Sequence, residues 1–229
     1  LDEYAARWQE GRTAACLDAE VREAAIADAL DRARWCFDDR RSELEAFVAE
    51  LEHADAEAVF LAVPAAASLT AIEPCRDAEA LGRLPTPPAE QREEIRAVRA
   101  LLARVAALMH AGRFPRALEL ADEALRRSEA LGWPPLVAAA RLGVAEGLSR
   151  TVRLRDAEAA AETAFVEAAT SGSWDVAADA AALLVTVVGY QLGRYGDGLR
   201  WSRLRAIAVS NLGGDELGGD ELGGDELGG

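Results

Sequence analysis

The sequence predicts an all-α protein, a solenoid of helical hairpins preceded by an antiparallel helical subdomain. Three observations carry this expectation. Alanine dominates the apolar half of the composition and only 6% of residues are aromatic, which favours helices that approach closely through small side chains. Apolar residues recur three or four apart along most of the chain, the spacing of one helix face. After a proline cluster, the sequence repeats itself at intervals of 40 and 41 residues, a length that fits two helices and their turns.

The first stretch, from Asp2 to about Leu51, spaces Tyr4, Trp8, Val21, Ile26, Leu30, Ala33, Phe37, Leu44, Phe47, Val48 and Leu51 in helical fashion. A lapse near Leu17 to Glu20 divides it into two helices, the second long. A shorter helix follows from about Asp55 to Val63. Pro64 and Pro74 then mark an irregular stretch, and Leu84-Pro85-Thr86-Pro87-Pro88 cannot propagate a helix. The chain thus divides into an N-terminal helical subdomain (1–83), a Pro-rich linker (84–90), repeats (about 91–134, 135–174 and 175–211) and a disordered, acidic, Gly-rich tail (212–229).

Each repeat is read as a helix, a tight turn and a second helix. The turn segments are Gly112-Arg113-Phe114-Pro115-Arg116-Ala117, Val152-Arg153-Leu154-Arg155-Asp156-Ala157 and Gly193-Arg194-Tyr195-Gly196-Asp197-Gly198. The leading Gly permits a left-handed backbone, the Phe, Leu or Tyr two residues later fills the gap between paired helices, and the Ala keeps them close. Gly198 in the third copy keeps the space but weakens its helix by roughly 0.5 to 1 kcal/mol. Trp133 and Trp174 close the first two copies. Were more repeats originally present, the face of the last helix around Trp201, Leu204 and Ile207 would lack its covering neighbour, a face through which self-association is then expected.

Composition narrows the function. The 40 acidic residues outnumber 25 basic ones for a net charge of -15, and such a surface repels phosphate backbones, so nucleic acid is not an expected partner. All the basic residues are Arg, which leaves no lysine for a Schiff base or for gripping a nucleotide phosphate. His53 and His110 stand too far apart for a zinc site, and no cofactor is expected. No apolar run reaches the roughly 18 residues of a membrane span, and nothing reads as a signal peptide. The start at Leu1 rather than Met suggests a piece of a longer protein.

Cys16, Cys36 and Cys75 show no metal-type spacing. If the second helix ends near Glu52 and the third returns beside it, Cys36 lies about 24 Å from the bend at roughly 1.5 Å per residue. The loop carrying Cys75 returns to that height, so Cys36 with Cys75 is the pair favoured should one form. The alternative is three buried thiols in a reducing compartment.

The ladder of Gly112, Phe114, Ala117 and Ala124, repeated at Leu154, Ala157 and Ala164, resembles the tetratricopeptide repeat family. The copies run about six residues longer than that family's usual 34, and Val152 replaces the turn glycine. That likeness implies a non-catalytic module that binds a protein or peptide in a groove lined by the first helix of each copy. Its frame places Arg99, Leu102 and His110, then Leu142, Glu146 and Arg150, then Leu183 and Tyr190 toward the groove. A second likeness spans most of the chain. Trp8, Cys16, Arg34-Trp35-Cys36-Phe37-Asp38-Asp39-Arg40-Arg41, Cys75-Arg76-Asp77, Val188-Gly189-Tyr190 and Gly198-Leu199-Arg200-Trp201 look like the region downstream of the catalytic domain in myxobacterial-type serine/threonine protein kinases. This implies a sensing or docking region of a membrane-anchored kinase, on an undecided side of the membrane. No kinase landmark occurs here, so this chain is not expected to be an enzyme. A structural spacer or oligomerisation scaffold, or a repeat region of a large transcriptional regulator, is the alternative.

The tail repeats Gly-Gly-Asp-Glu-Leu three times from Gly213 to Leu227. It resembles the diguanylate cyclase hallmark, but Leu stands in place of Phe and no strand pattern surrounds it.

Overall fold

The computed structural model describes residues 1–21, 27–52 and 55–212, and every regular element among them is helical. The repeated tail and His53 lie outside the described residues. The N-terminal subdomain holds α1 (Asp2–Val21), α2 (Ala27–Glu52), α3 (Ala56–Ala67), a 3-10 turn (Glu73–Arg76) and α4 (Ala78–Arg83). α1 runs through Leu17 to Glu20, where the apolar period lapses, because Leu17, Ala19 and Glu20 are good helix formers. α3 likewise continues past Val63 and takes in Pro64, followed by three alanines. α4 starts because the Asp77 carboxylate accepts from the amides of Glu79 and Ala80 at 2.8 and 3.1 Å, an N-cap.

This subdomain closes on a small core of Tyr4, Ala33, Cys36, Phe37, Ile72, Cys75 and Leu81. Cys36 and Cys75 form a disulfide with Cα atoms 5.5 Å apart, tying the middle of α2 to the 3-10 turn. Trp8 donates its indole N–H to the Phe37 carbonyl at 2.8 Å, and the Tyr4 hydroxyl donates to the Thr70 carbonyl at 2.9 Å. These bonds hold α1 against both α2 and the 69–76 loop.

The repeats comprise α5 (Arg92–His110), α6 (Phe114–Leu131), α7 (Pro134–Arg150), α8 (Leu154–Ser171), α9 (Trp174–Leu184) with a π-helical extension (Val185–Gln191), and α10 (Tyr195–Asn211). Each helix packs on the next in sequence, and α7 also packs against both α5 and α9, so the first helices of successive hairpins stand side by side. Small residues permit this closeness: Ala117, Ala121 and Ala124 on α6 and Ala157, Ala161 and Ala164 on α8 are fully buried.

The three turns share one design. Gly112, Val152 and Gly193 adopt left-handed φ of 74°, 62° and 69°, and the amide after each returns to a helix carbonyl: Arg113 to Leu108 and Arg153 to Leu148 at 2.9 Å, Arg194 to Val188 at 3.0 Å. Val152 holds this conformation despite its branched Cβ.

Copy three contains one extra residue. From the residue capping the first helix to the turn position, Trp133 to Val152 is a step of 19, whereas Ser173 to Gly193 is a step of 20. The π-helical segment absorbs the insertion, which explains why the period lengthens from 40 to 41. Gly198 does more here than keep a space for alanine. A Cβ on it would lie 2.6 Å from the Gly189 Cα, so the two backbones already touch.

The orientation of α10 differs from the sequence expectation. Trp201 points inward, edge-on to Phe165 with ring centroids 5.3 Å apart, and Leu204 is partly covered. Of the expected face, Ile207 is the exposed member, in an open stripe with Tyr195 and Leu199. At 100° per residue, Trp201 lies about 160° around the helix from Arg203, which sits in the middle of that stripe.

The subdomain and the repeats meet along α2 and α5. Asp31 pairs with Arg92, Asp38 with Arg96 and Asp39 with Arg99, in the same order on both helices, so α2 and α5 run parallel. Asp55 receives Arg113 at 2.6 Å beside α3. At the far end, Arg83 of α4 donates to the Leu212 carbonyl at 2.7 Å.

Candidate functional site

The shared face of α5, α7 and α9 carries the residues that the repeat register points toward a partner, and their environments differ sharply. Arg99 is satisfied within the chain. Its guanidinium lies 4.8 Å from the Trp35 ring centroid and 5.4 Å from that of Trp133, and it pairs with Asp39. Burial pushes the Asp39 carboxyl up to about 6, with Arg99 and then Arg40 pulling it down. This cluster clamps the N-terminal subdomain to the repeats.

Three of the predicted residues pack rather than face solvent. Leu142 is buried with Ala164 and Ala180, Leu102 lies against the α5–α6–α7 core beside Gly143, and Leu183 bridges the clusters of α7, α8 and α9. His110 places Nε2 3.0 Å from the Ser68 hydroxyl of the subdomain. Burial, and then the neighbouring Arg150, hold its imidazole below the usual range, so it is neutral at pH 7.

Arg150, Glu146 and Tyr190 remain on the accessible side. Arg150 is exposed and lies over the Phe114 ring at 5.6 Å. Tyr190 projects from the π-helical segment at 81% exposure, because the extra residue rotates the end of α9 relative to an unbroken helix. Glu146 is half-buried on α7. Burial pushes its carboxyl up to about 7, reinforced by Asp179 on α9 and opposed by Arg150. Asp179, at the exposed edge, is also raised, by desolvation first and then by Asp175, against Arg205.

Neither carboxylate makes a hydrogen bond or an ion pair with a described residue. Elsewhere the chain matches its sheltered acids: Glu158, 12% exposed, receives both Arg194 and Arg155, and Asp39 receives Arg99. An ionised carboxylate held away from water without a cation is costly. The α7–α9 face therefore presents two acceptor groups and the exposed Tyr190 ring, a set suited to a ligand that brings a positive charge.

Family models, curated proteins and solved structures yield no match to the chain. Among the described residues, no three potential metal ligands converge, and no helix is long and apolar enough to cross a membrane.

Sequence reasoning missed Asp179, Trp35, Asp39 and Trp133 as parts of this region. Asp179 had a signal, being a lone charge inside Val176-Ala177-Ala178-Asp179-Ala180-Ala181-Ala182-Leu183-Leu184. The Trp35–Arg99–Trp133 cluster had none, since it joins three segments distant in sequence.

Proposed function

We propose that this chain is a non-catalytic docking module of the tetratricopeptide type, whose inner groove takes an extended protein or peptide segment bearing an Arg or Lys side chain. The observation that carries the reading is the unpaired Glu146 carboxylate beside Asp179. The side-by-side packing of α5, α7 and α9 and the three left-handed turns support the repeat assignment. The likeness of the Cys36 and Cys75 segments to the region downstream of myxobacterial-type kinases makes the sensing or docking part of a serine/threonine protein kinase the context we propose. The disulfide favours an oxidising compartment.

A cation binds the ionised form of Glu146, so docking releases a proton. Affinity then rises with pH, by up to about ten-fold per unit below pH 7, and levels off above it. Fluorescence anisotropy with labelled extended peptides carrying one central Arg, against counterparts with Gln, tests this. Preference for the Arg peptides that vanishes in Glu146→Gln supports the reading. Equal binding of both peptides, or an undiminished preference in the variant, sinks it. In that event the internal satisfaction of Arg99 and His110 favours a structural spacer.

A further inference from the structure

Among the described residues, two groups of neighbouring apolar side chains are exposed. One is on α3, where Val59, Phe60 and Val63 are 60%, 84% and 78% exposed. The other is the α10 stripe of Tyr195, Leu199 and Ile207, at 72%, 63% and 56%. Isolated exposed hydrophobics are ordinary, but contiguous groups mark association surfaces.

The repeats themselves indicate what the α10 stripe is built to meet. Tyr195 and Leu199 correspond to Phe114 and Leu118 on α6 and to Leu154 and Glu158 on α8. The chain that follows reaches onto each earlier pair: Gly147 of α7 sits directly on Leu118, Arg150 at the end of α7 lies over Phe114, and Arg194, in the turn before α10, pairs with Glu158. Tyr195 and Leu199 have no such cover among the described residues. The stripe is one half of a helix-stacking interface, continuous with the interfaces inside the molecule. Leu212, at the end of α10, is already held by Arg83, so the open part is the stripe N-terminal to it.

Charge selects the other half. α10 is locally basic in an acidic protein, with Arg200, Arg203 and Arg205 against Asp197, whereas residues 1–83 carry nineteen Asp or Glu against nine Arg. Pairing α10 with a second α10 sets arginines against arginines, and pairing α3 with a second α3 joins two acidic subdomains. We propose that the α10 stripe of one molecule docks on the α3 patch of a second copy, head to tail. Such a contact is heterologous, so an open chain of copies retains one free α3 patch at one end and one free α10 stripe at the other until a ring closes.

Sedimentation equilibrium of the native chain, Leu199→Glu, Phe60→Glu and their equimolar mixture tests this, with circular dichroism verifying equal helicity. The native chain shows a mass that rises with concentration and falls as salt is raised. Each variant alone loses on the order of 30-fold or more in association constant and stays near the 24.3 kDa of one chain. The mixture forms a 1:1 pair, because the Leu199→Glu copy keeps its α3 patch and the Phe60→Glu copy keeps its α10 stripe. A native chain that remains a single copy throughout, a Phe60→Glu variant that associates like the native chain, or a mixture that fails to pair would each overturn the proposal.

Discussion

Val152 holds a left-handed turn that its counterparts Gly112 and Gly193 hold without strain, and replacing it with glycine should stabilise the protein. For an L-residue this conformation costs roughly 1–2 kcal/mol relative to the right-handed one. The side chain is 76% exposed, so little burial is lost on removal. Against the gain stands the greater freedom of glycine in the unfolded chain, about 0.4–1 kcal/mol. The net expectation for Val152→Gly is a gain of about 1 kcal/mol, or about 2–4 °C in Tm for a chain of this size. Thermal unfolding followed by circular dichroism reads it directly. Val166→Gly is the matched control: also an exposed valine, at 58%, but inside α8, where glycine is expected to lower stability by about 0.5 kcal/mol. Gly112→Val should lose about 1 kcal/mol by the same logic. If Val152→Gly lowers Tm as much as Val166→Gly does, the strained turn is refuted.

Gly198→Ala should cost about 2–3 kcal/mol in urea unfolding, because its Cβ would meet Gly189 backbone at 2.6 Å, whereas Gly196→Ala, two residues away in open space, should be neutral or mildly stabilising. Replacing Cys36 and Cys75 with serine releases a link spanning 39 residues, worth about 3–4 kcal/mol in the chain-entropy account, and should abolish the sensitivity of the native chain's denaturation midpoint to reductant. Glu146 has its folded pKa raised from 4.5 to about 7. Its protonated form therefore favours folding, and that stability is fully present below pH 4.5 and lost as pH rises through 7. Glu146→Gln should match the native chain at pH 4 and exceed it by about 2 kcal/mol at pH 8, a figure reduced for the partial access of water, as judged by denaturation at the two pH values.

The helical class and the helix–turn–helix units were legible because alanine ladders and turn glycines act locally, within four residues of one another. What escaped was set by residues that lack a period or act across long separations. Among the described side chains of α1 only Tyr4 and Gly11 are buried, too few to mark an apolar stripe, so its continuation through Leu17 left no trace. α4 depends on one capping carboxylate, Asp77, in a stretch dominated by prolines. The phase of α10 was misjudged because Trp201 and Leu204 are as apolar as Leu199 and Ile207, and only the packing against Phe165 separates the two faces. The inner face was legible in register, since Glu146 and Tyr190 lie on its accessible side. Its division between satisfied and unsatisfied charges was not. That depends on Asp39, Trp35 and Ser68, which arrive from the N-terminal subdomain to occupy Arg99 and His110.

The most direct test of the docking account is an NMR titration of the Glu146 side-chain carboxyl, with and without an Arg-bearing peptide. The account predicts a midpoint near 7 in the free chain, moving down toward the ordinary carboxylate range when the peptide's guanidinium pairs with it. A midpoint already in the ordinary range in the free chain, or one that the peptide leaves unmoved, would contradict a cation seat on the α7–α9 face.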